Sequence, residues 1–522
     1  MSHTFDTSRA PEGQAAGQGE APRQASHDAQ LPQALLDFMV QGWETGAREL
    51  PPPIEAAEAF AARRKALSGL FPGEVLIIPT GHQKVRSNDD HYRFRPGSDF
   101  YYLTGNTEPD CVLVMQPEEG GGHRHVLFVE PNPGRTDKTF YTDRVKGELW
   151  VGPRLGVEQS RARFAVDECR GLPDLQATLE ALAGAGAAAG GRPPRVLRGF
   201  SERAEKVFLP AREEDKQLAE ALAELRLRKD AVEVAELEGA IASTKRGFED
   251  VIRALAAMEP EPGSAVQPPA WRRASSEREV EGIFNLRARV EGNDVGYGTI
   301  AACGHHACIL HWTRNDGRLE PGKLLLLDAG VERDSLYTAD VTRTLPVSGR
   351  FSAAQRRIYE LVLEAQRAAF AEVKPGNDFM EPNRAAMRVL AHGLERLGIL
   401  PVTAEEALRE EKQLYRRYSL HNVSHMLGLD VHDCAQARQE SYKFGKLQPG
   451  MVLTVEPGLY FQLEDATVPA EYRGIGVRIE DDLLVTEAGY VNLSGGLPSD
   501  PDEVEAWIAG LWAEARASVQ RA

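Results

Sequence analysis

Five side chains of types that bind divalent metal ions lie at the ends of short apolar runs in the C-terminal half of the chain. Four are carboxylates and one is an imidazole: Asp328, Asp340, His425, Glu456 and Glu480. A set so rich in oxygen suits hard or borderline divalent ions. Two such ions that share a water are well suited to hydrolysis. The residue types therefore predict a site for two metal ions with hydrolytic chemistry.

The first two of these acids lie on either side of a short connection. Asp328 ends the apolar run 323–327 (KLLLL), and Asp340 directly precedes the run 341–345 (VTRTL). Residues 331–338 have a suitable length for a hairpin connection, so two adjacent strands would present both carboxylates to one site. An Asp before Ala-Gly is also a common turn residue. The pairing of the two acids favours a shared site over that structural interpretation.

Charge balance separates a metal site from a set of solvated acids. At a separation of ~4 Å and an effective dielectric constant of about 20, each pair of carboxylates repels by about 4 kcal/mol. Four acids in one pocket therefore need cations, whereas acids that lie far apart in water do not. Two divalent ions would supply four positive charges and balance the set.

Histidines and one arginine are the remaining candidates for chemistry. His421, His425 and His432 lie within twelve positions of each other, and His311 follows two apolar residues further upstream. Only one of the three clustered histidines is needed as a metal ligand, and the others can donate and accept protons near neutral pH. Arg478 alternates with Glu480 on one face of a strand. It could orient a ligand or a substrate carbonyl, or form a surface ion pair of little energetic value.

Other sites of known type are disfavoured by spacing. The run 303–308 (CGHHAC) has two cysteines, but no second cysteine pair follows it as in structural zinc sites. The GYG at 296–298 lacks the rest of a dinucleotide fingerprint. No G-x-S-x-G nucleophile elbow is present. Nucleotide binding and serine-hydrolase chemistry are therefore not indicated.

Bulk composition narrows the class of protein and its surroundings. The chain has 522 residues, 42% of them hydrophobic, with a formal net charge of −17. This length allows two or three domains, and the negative charge argues against nucleic acid and anionic membranes as partners. Five widely spread cysteines do not form a disulfide framework. With no secretory signal and no run of about 18 apolar residues, we predict a cytoplasmic protein.

The N-terminal half has the pattern of an α/β domain. Residues 1–34 have the composition of a disordered tail, and residues 35–212 form the predicted domain. The Ala/Gly/Pro-rich stretch 184–194 is expected to be a surface loop. The hydrophobic pattern predicts helices at 35–50 and 54–70, and strands at 75–78, 111–115 and 126–129.

Residues 213–522 are predicted to form the catalytic domain. A charged helical stretch covers 213–258 with an interruption near 228–230, and a Pro-rich loop follows at 259–276. A capping box formed by Ser352 and Gln355 starts one long helix, while Asp500 and Pro501 start the last helix. Another helix is predicted at 277–291.

These motifs resemble those of the Xaa-Pro aminopeptidases (aminopeptidase P), which have the creatinase/methionine aminopeptidase, or pita-bread, fold. Residues 92–95 and 98–105, and more weakly 148–154, resemble the non-catalytic domain that precedes the catalytic one in that family. The resemblance covers about residues 55–500 and implies an α/β (α+β) fold, with an N-terminal α/β domain followed by a pita-bread domain. The C-terminal resemblance rests on residues 327–330, 340–346, 425–433, 454–460 and 476–482.

The resemblance also implies a role for each candidate residue. Asp328 would bind one metal alone, Asp340 and Glu480 would bridge both ions, and His425 and Glu456 would complete the second. Ligand type and family favour Mn²⁺, with Co²⁺, Fe²⁺ and Zn²⁺ as alternatives. The resemblance also implies a homo-oligomer. Tyr101 lies where the family often has another aromatic residue, which reaches a neighbouring subunit's site in some oligomeric members. The residues expected to line the substrate site are His311, His421, His432 and Arg478.

The expected reaction is removal of an N-terminal residue from peptides with proline in second position. A hydroxide that bridges the two metal ions would attack the scissile carbonyl. Glu456 would take its proton and pass it toward the proline nitrogen, with help from His432. One alternative is an Xaa-Pro dipeptidase (prolidase), which has the same metals but takes only dipeptides. Another is a non-catalytic binding protein with the pita-bread fold, although such proteins usually lose ligands and all five are present here.

Overall fold

The computed structural model describes residues 31–44, 46, 48–187, 192–256 and 274–520, and it combines helices and strands along the whole of that part of the chain. Its α-helices are, in chain order, α1 Gln33–Met39, α2 Ala57–Leu70, α3 Ser98–Thr104, α4 Thr139–Thr142, α5 Glu148–Val151, α6 Val157–Phe164, α7 Leu175–Ala187, α8 Glu202–Val207, α9 Glu213–Arg226, α10 Ala231–Leu255, α11 Glu277–Glu291, α12 Ala353–Glu372, α13 Glu381–Arg396, α14 Ala404–Ala407 and α15 Pro501–Gln520.

The strands are short and most of them are buried. They are, in chain order, β1 Leu76–Pro79, β2 Val85–Ser87, β3 Asp90–His91, β4 Val112–Pro117, β5 His123–Val129, β6 Glu168–Gly171, β7 Arg195–Val196, β8 Asp294–Val295, β9 Ile300–Cys303, β10 Leu324–Ala329, β11 Val331–Glu332, β12 Val341–Pro346, β13 Val452–Val455, β14 Gly458–Tyr460, β15 Gly476–Arg478, β16 Asp481–Thr486 and β17 Gly489–Asn492.

The chain divides into two compact units. The smaller unit consists of Met1–Glu49, Gln83–Phe94 and Pro131–Gly156, so its described elements are α1, the β2–β3 hairpin, α4 and α5. Within it, the hydroxyl of Tyr141 donates a 2.7 Å hydrogen bond to the carbonyl of Met39. The larger unit contains all the other elements, including every candidate site residue.

The N-terminal part of the larger unit is built on a five-stranded sheet with the order β6-β5-β4-β1-β7. The pairs β1–β4 and β4–β5 are antiparallel, and the outer pairs β5–β6 and β1–β7 are parallel. The side chains of Ile77, Val114 and Phe128 on its central strands are fully buried, together with Leu179 of α7. Apolar burial of this extent holds the sheet against its helices.

Residues 213–520 contain two three-stranded antiparallel sheets, β12-β10-β9 and β13-β16-β17, and the two-stranded sheet β14-β15. Phe248 of α10, Phe284 of α11 and Ile508 of α15 pack against the first sheet. Val362 of α12 and Leu390 of α13 belong to a second core that includes residues of β13 and β16. Helices thus cover the sheets, and the strand ends carry the polar side chains discussed below.

Most of the elements predicted from the sequence are confirmed. The helix at 54–70 corresponds to α2, the helix at 277–291 matches α11, and the interruption near 228–230 separates α9 from α10. The predicted capping box at Ser352 is present: its hydroxyl accepts from the Gln355 amide at 3.3 Å, and the Gln355 side chain accepts from the Ser352 amide at 2.9 Å. The first helical residue of α15 is Pro501, as predicted.

Two helix boundaries were predicted wrongly. The helix at 35–50 is too long, because α1 ends at Met39 and the chain then turns through Gly42, whose φ is +75°. The loop at 184–194 is too long at its start, because α7 continues to Ala187. Alanine is the best helix former and compensates for the glycines in that stretch.

Several sequence predictions fall on residues outside the described ranges. These are most of the tail 1–34, of which residues 31–34 are described and include the start of α1, and most of the loop 259–276, of which residues 274–276 are described. Among the described helices, none combines the length and apolar character needed to cross a membrane.

Candidate metal centre

The antiparallel pair β10–β12 brings the first two predicted ligands together. Asp328 lies opposite Thr342 in the register, and Asp340 directly precedes β12. The hydroxyl oxygen of Tyr297 lies 2.7 Å from Oδ1 of Asp328 and 2.6 Å from Oδ1 of Asp340. Both carboxyl groups are buried. The hairpin predicted from the spacing therefore delivers both acids to one place.

Backbone pairing beside β13 positions the next two ligands. The amide of Thr454 donates to the carbonyl of His425 at 2.9 Å, and the amide of Glu456 donates to that of Val423 at 2.8 Å. As a result, Nε2 of His425 lies 3.5 Å from Oε1 of Glu456 and 3.3 Å from Oδ2 of Asp340. Nδ1 of His425 donates to the carbonyl of Met426 at 3.2 Å. That bond turns Nε2 toward the acids, as is usual for a histidine that binds metal.

Glu480 enters the same place from the end of β15. Its amide donates to the carbonyl of Thr342 at 3.1 Å, and its Oε2 accepts from the Thr342 hydroxyl at 2.6 Å. One ligand atom from each of Asp340, His425 and Glu480 lies within 4.8 Å of the other two. Three segments distant in sequence thus converge on a common centre.

Burial makes the negative charge of these acids costly. It raises the pKa of Asp328 and Glu480 above the usual range, and the pKa of Glu456 to about 7. The positive charge of Arg478 opposes this rise without cancelling it. Buried carboxylates of this kind are ionised at neutral pH when cations lie beside them. The oxygen-rich donor set and its burial therefore fit divalent metal ions.

His425 carries the local positive charge in this arrangement. Burial lowers its pKa, but the hydrogen bond and the charge of Asp340 outweigh burial, and the resulting pKa is about 9. A histidine must be neutral at the coordinating nitrogen to bind a metal ion. A cation in the centre would take over the role that the imidazolium has beside Asp340 and Glu456.

A chain of hydrogen bonds runs from Arg478 to His421. The guanidinium of Arg478 donates to Oδ2 of Asp328 at 2.6 Å and to the hydroxyl of Tyr460 at 3.0 Å. The Tyr460 hydroxyl lies 2.8 Å from Nε2 of His421, whose Nδ1 donates to the carbonyl of Asn422 at 2.9 Å. Burial and the charge of Arg478 lower the pKa of His421 to about 4. His421 is therefore neutral, and its Nε2 accepts from Tyr460.

His432 lies at the same centre. The ring of His432 contacts the ring of His425 edge to face, with 4.5 Å between centroids. Burial and the charge of His425 lower the pKa of His432. The structure thus brings together eight of the nine candidate residues named from the sequence, and the role of His311 stays a prediction.

Three residues of the centre were missed by the sequence analysis. Tyr297 contacts two candidate ligands, Thr342 contacts Glu480, and Tyr460 joins Arg478 to His421. Thr342 could have been found, because it lies two positions after Asp340 on the same face of a strand. Tyr297 had only a weak signal, since the GYG in which it lies was considered only as a fragment of a nucleotide-binding motif.

One cysteine and one histidine of the run 303–308, Cys308 and His306, have protein partners. The thiol of Cys308 donates to the carbonyl of Phe461, and Nδ1 of His306 lies 2.7 Å from Oε1 of Glu277. The Trp312 ring stacks on His306, and its Nε1 donates to Glu277. These contacts agree with the sequence argument against a zinc loop there.

Two protein-family models match the chain. The model of metallopeptidase family M24 matches residues 235–487, and the model of the aminopeptidase P N-terminal domain matches residues 60–188. The first match contains all five candidate ligands, and the second contains four strands of the five-stranded sheet, β1, β4, β5 and β6.

Individual proteins resemble the chain over most of its length. Xaa-Pro aminopeptidase 1 of Streptomyces coelicolor is 51% identical over 480 residues, which cover 91% of this chain and 92% of that protein. Aminopeptidase P of E. coli with the inhibitor Pro-Leu is 30% identical with a TM-score of 0.73, covering 87% of this chain and 98% of that one. A zinc-substituted form of the E. coli enzyme in complex with product is 32% identical, with the same TM-score and coverage. The fold class predicted from the sequence is confirmed by these likenesses.

Proposed function

This chain belongs to the Xaa-Pro aminopeptidases of metallopeptidase family M24, and from that premise we propose that it hydrolyses the N-terminal Xaa-Pro bond of peptides. Membership makes the protein a hydrolase, as the sequence predicted. The observation that carries the finer proposal is the convergence of Asp340, His425 and Glu480 on one buried centre, beside Asp328 and Glu456. The side chains that we propose for metal-assisted hydrolysis lie together at this centre.

Five residues would hold two divalent ions. Asp328 would bind one ion and His425 with Glu456 the other, while Asp340 and Glu480 would bind both. Tyr297 supports this assignment, because its hydroxyl contacts one oxygen each of Asp328 and Asp340 and so keeps both carboxyl groups at one centre. We propose Mn²⁺ as the metal because oxygen ligands dominate the set. The zinc-substituted E. coli relative keeps Zn²⁺ as an alternative.

The ions would lower the pKa of a water so that it attacks as hydroxide near neutral pH, and would polarise the scissile carbonyl. Side chains of the protein would accept and transfer the protons of the reaction. Glu456 would accept the proton of the attacking water and pass it toward the leaving nitrogen. His432, whose ring lies against His425, would assist at that nitrogen.

Proline at the second position changes what the site must recognise. The bond before proline is a tertiary amide, and its nitrogen carries no hydrogen that a site could bind. His421 and Tyr460, joined by a 2.8 Å hydrogen bond, would form one side of a pocket for the ring together with His311. Arg478 would orient the substrate carbonyl. The Pro-Leu inhibitor of the E. coli relative supports a site that accepts a proline at this position.

Hydrolysis assays with matched peptides test the proposal. Purified protein loaded with Mn²⁺ should cleave an Xaa-Pro-Yaa tripeptide faster than the Xaa-Pro dipeptide, and should leave the Xaa-Ala-Yaa control almost intact. Asp340→Asn should abolish cleavage. Preference for the dipeptide would instead identify an Xaa-Pro dipeptidase. Protein that holds no metal and shows no chelator-sensitive activity would support the non-catalytic binding protein.

Location and assembly remain predictions. A cytoplasmic site is supported by the five cysteines, which are all free thiols and mostly buried. The homo-oligomer rests on the family resemblance alone. Tyr101 adds no support to it, because its side chain is buried within this chain, in edge contact with the ring of Phe60. We also keep the prediction that neither nucleic acid nor a membrane is a partner, which rests on the net charge of −17.

A further inference from the structure

His425 begins a short loop, residues 425–433, which we call the histidine loop, and His432 lies near the other end of that loop. The amide of Asp433 donates to the carbonyl of Met426 at 2.9 Å, and the amide of Gly428 donates to that of Asp430 at 3.2 Å. These bonds fold the loop back on itself, so that the two imidazole rings meet at 4.5 Å between centroids. The geometry of the loop therefore decides where His432 lies relative to the candidate metal ligand His425.

The tip of this loop is held by residues from the N-terminal half of the chain. Arg95, 334 positions before Leu429, donates to its carbonyl at 2.5 Å. The same guanidinium donates at 2.7 Å to Oε2 of Glu332, which lies in β11. Ser98, at the start of α3, donates its hydroxyl to Oδ1 of Asp430 at 2.6 Å. The tip is thus joined both to the N-terminal half and to the strand that follows Asp328.

The end of the loop is held by a second, fully buried set of charges. Arg226, the last residue of α9, and Lys229, in the break before α10, both donate to the carboxylate of Asp433. These two cations outweigh burial and hold the pKa of Asp433 below its usual range. A methyl group on Gly428 would lie 2.3 Å from the Asp433 carboxylate, so the loop has no spare room there. Arg226 also donates to Oδ2 of Asp430 at 2.7 Å, so this anchor reaches the tip of the loop as well.

We propose that Arg95 and Ser98 are positioning residues of the catalytic reaction, which fix His432 by holding the tip of the histidine loop. The inference rests on the proposed function, since it gives the N-terminal half a part in peptide hydrolysis. Arg95 suits this role because it makes two charge-assisted bonds in fixed directions, which a point charge does not reproduce. A displacement of about 1 Å in a catalytic group can lower a rate on the order of a hundredfold.

The variant Arg95→Met tests the proposal without removing a main support of the fold. The side chain of Arg95 is 33% exposed, and Glu332 retains a 2.7 Å hydrogen bond from the Asn293 amide group. Arg287→Met is a matched control, because Arg287 is 29% exposed and also joins two acids, Asp250 and Glu291, between α10 and α11. Arg95→Lys is the conservative variant, and Ser98→Ala removes the second tip contact.

Kinetics of the manganese-loaded protein with an Xaa-Pro-Yaa peptide give the first measurement. We expect Arg95→Met to lower kcat by at least about tenfold with KM changed less than about threefold, and Arg95→Lys to recover part of the loss. The control Arg287→Met should keep the kcat of the wild type. A kcat for Arg95→Met equal to that of the control would overturn the proposal.

Hydrogen exchange followed by mass spectrometry gives a readout that does not depend on activity. Amides of residues 425–433 should exchange faster in Arg95→Met and Ser98→Ala, and at the wild-type rate in Arg287→Met. If the wild type does not cleave Xaa-Pro-Yaa peptides, the proposed function fails, while faster exchange would still support the hold on the loop. Unchanged hydrogen exchange of residues 425–433 in both Arg95→Met and Ser98→Ala would overturn the inference, whatever the peptidase activity of these variants.

Discussion

The hydroxyl oxygen of Tyr297 lies 2.6 Å from Oδ1 of Asp340. The same oxygen lies 2.7 Å from Oδ1 of Asp328, and burial raises the pKa of Tyr297 well above its usual range. A neutral phenol has one hydrogen to donate, so only one of the two carboxylates can accept it. The other carboxyl must itself carry a proton or face a cation. One tyrosine thus couples the two acids at the centre of the site.

Removing this hydroxyl should weaken metal binding without unfolding the protein. We expect Tyr297→Phe to lower metal affinity or activity by about 10- to 100-fold, as is usual for groups that orient metal ligands. Competition with a chelating dye measures the affinity. Tyr359→Phe is the control, because Tyr359 is also buried but donates to the carbonyl of Ser499. Equal metal affinities for the two variants would contradict the role given to Tyr297.

Metal removal should destabilise the protein, because the buried carboxylates are then left to repel one another. At a free metal concentration a hundred times the Kd, binding adds about 2.7 kcal/mol to the free energy of unfolding. The melting temperature should therefore fall on chelation and recover when Mn²⁺ is added back. Glu480→Gln removes a carboxyl group whose ionised form is costly when buried, so its metal-free form should melt above the metal-free wild type. An unchanged melting temperature after verified metal removal would refute the argument from charge repulsion.

Arg478 should not be replaceable by lysine. Its guanidinium bonds in three directions, to Asp328, Tyr460 and Thr342. An ammonium group keeps the charge but not this fixed fork. We expect Arg478→Lys to lower kcat/KM by at least about tenfold, and Arg478→Met to lower the free energy of unfolding by about 3–5 kcal/mol as well, because Asp328 loses its buried partner. Wild-type kinetics for Arg478→Lys would show that charge alone is sufficient.

Two glycine substitutions should have effects of opposite sign. A Cβ at Gly428 would lie 2.3 Å from Oδ2 of Asp433 and 2.9 Å from Nζ of Lys229. Gly428→Ala should therefore lower the free energy of unfolding by about 1–3 kcal/mol, as overpacking does. Gly282 lies inside α11, and a methyl group added there would meet no atom within 4 Å, so Gly282→Ala should raise it by about 0.5–1 kcal/mol. Urea unfolding measures the free energy of unfolding of both variants. If Gly428→Ala and Gly282→Ala lowered it equally, the close packing at Gly428 would be contradicted.

One surface ion pair should contribute stability that depends on pH. The hydrogen bond from Arg246 outweighs the opposing effect of burial and lowers the pKa of Glu291 to about 2 from the ordinary 4.5. A lowered pKa means that the unfolded state binds more protons between those values, so the contribution is complete above pH 4.5 and is lost as pH falls toward 2. Because Arg246 is 46% exposed, solvent screening limits the effect to about 1 kcal/mol.

The variant Glu291→Gln isolates this contribution. Its free energy of unfolding should be lower than that of the wild type at pH 7, and the difference should shrink steadily between pH 5 and pH 3. Glu514→Gln, which alters a more exposed partner of Arg253, serves as the control for charge change alone. A difference that stays constant over this pH range would mean that the ion pair with Arg246 is not its source.

Local rules account for the parts of the fold that could be predicted from the sequence. A capping box at Ser352, a proline at the first position of α15 and the period of the apolar residues each depend on neighbours within a few positions. Helix ends were harder to predict: α1 stops at Met39 where propensity alone would continue it. The domain limits predicted at 34 and 212 stay predictions, because neither boundary follows from a local pattern.

The sequence by itself determined the chemistry of the site. Four carboxylates and a histidine at strand ends, on segments resembling one family of peptidases, indicated metal-assisted hydrolysis before any coordinates were needed. Only the tertiary structure decided that Tyr297 couples two of those acids, and that Arg95 reaches Leu429 across 334 positions. Residue types and short spacings can be read from the sequence alone. Burial, pKa values and long-range contacts arise only when distant segments of the chain pack together.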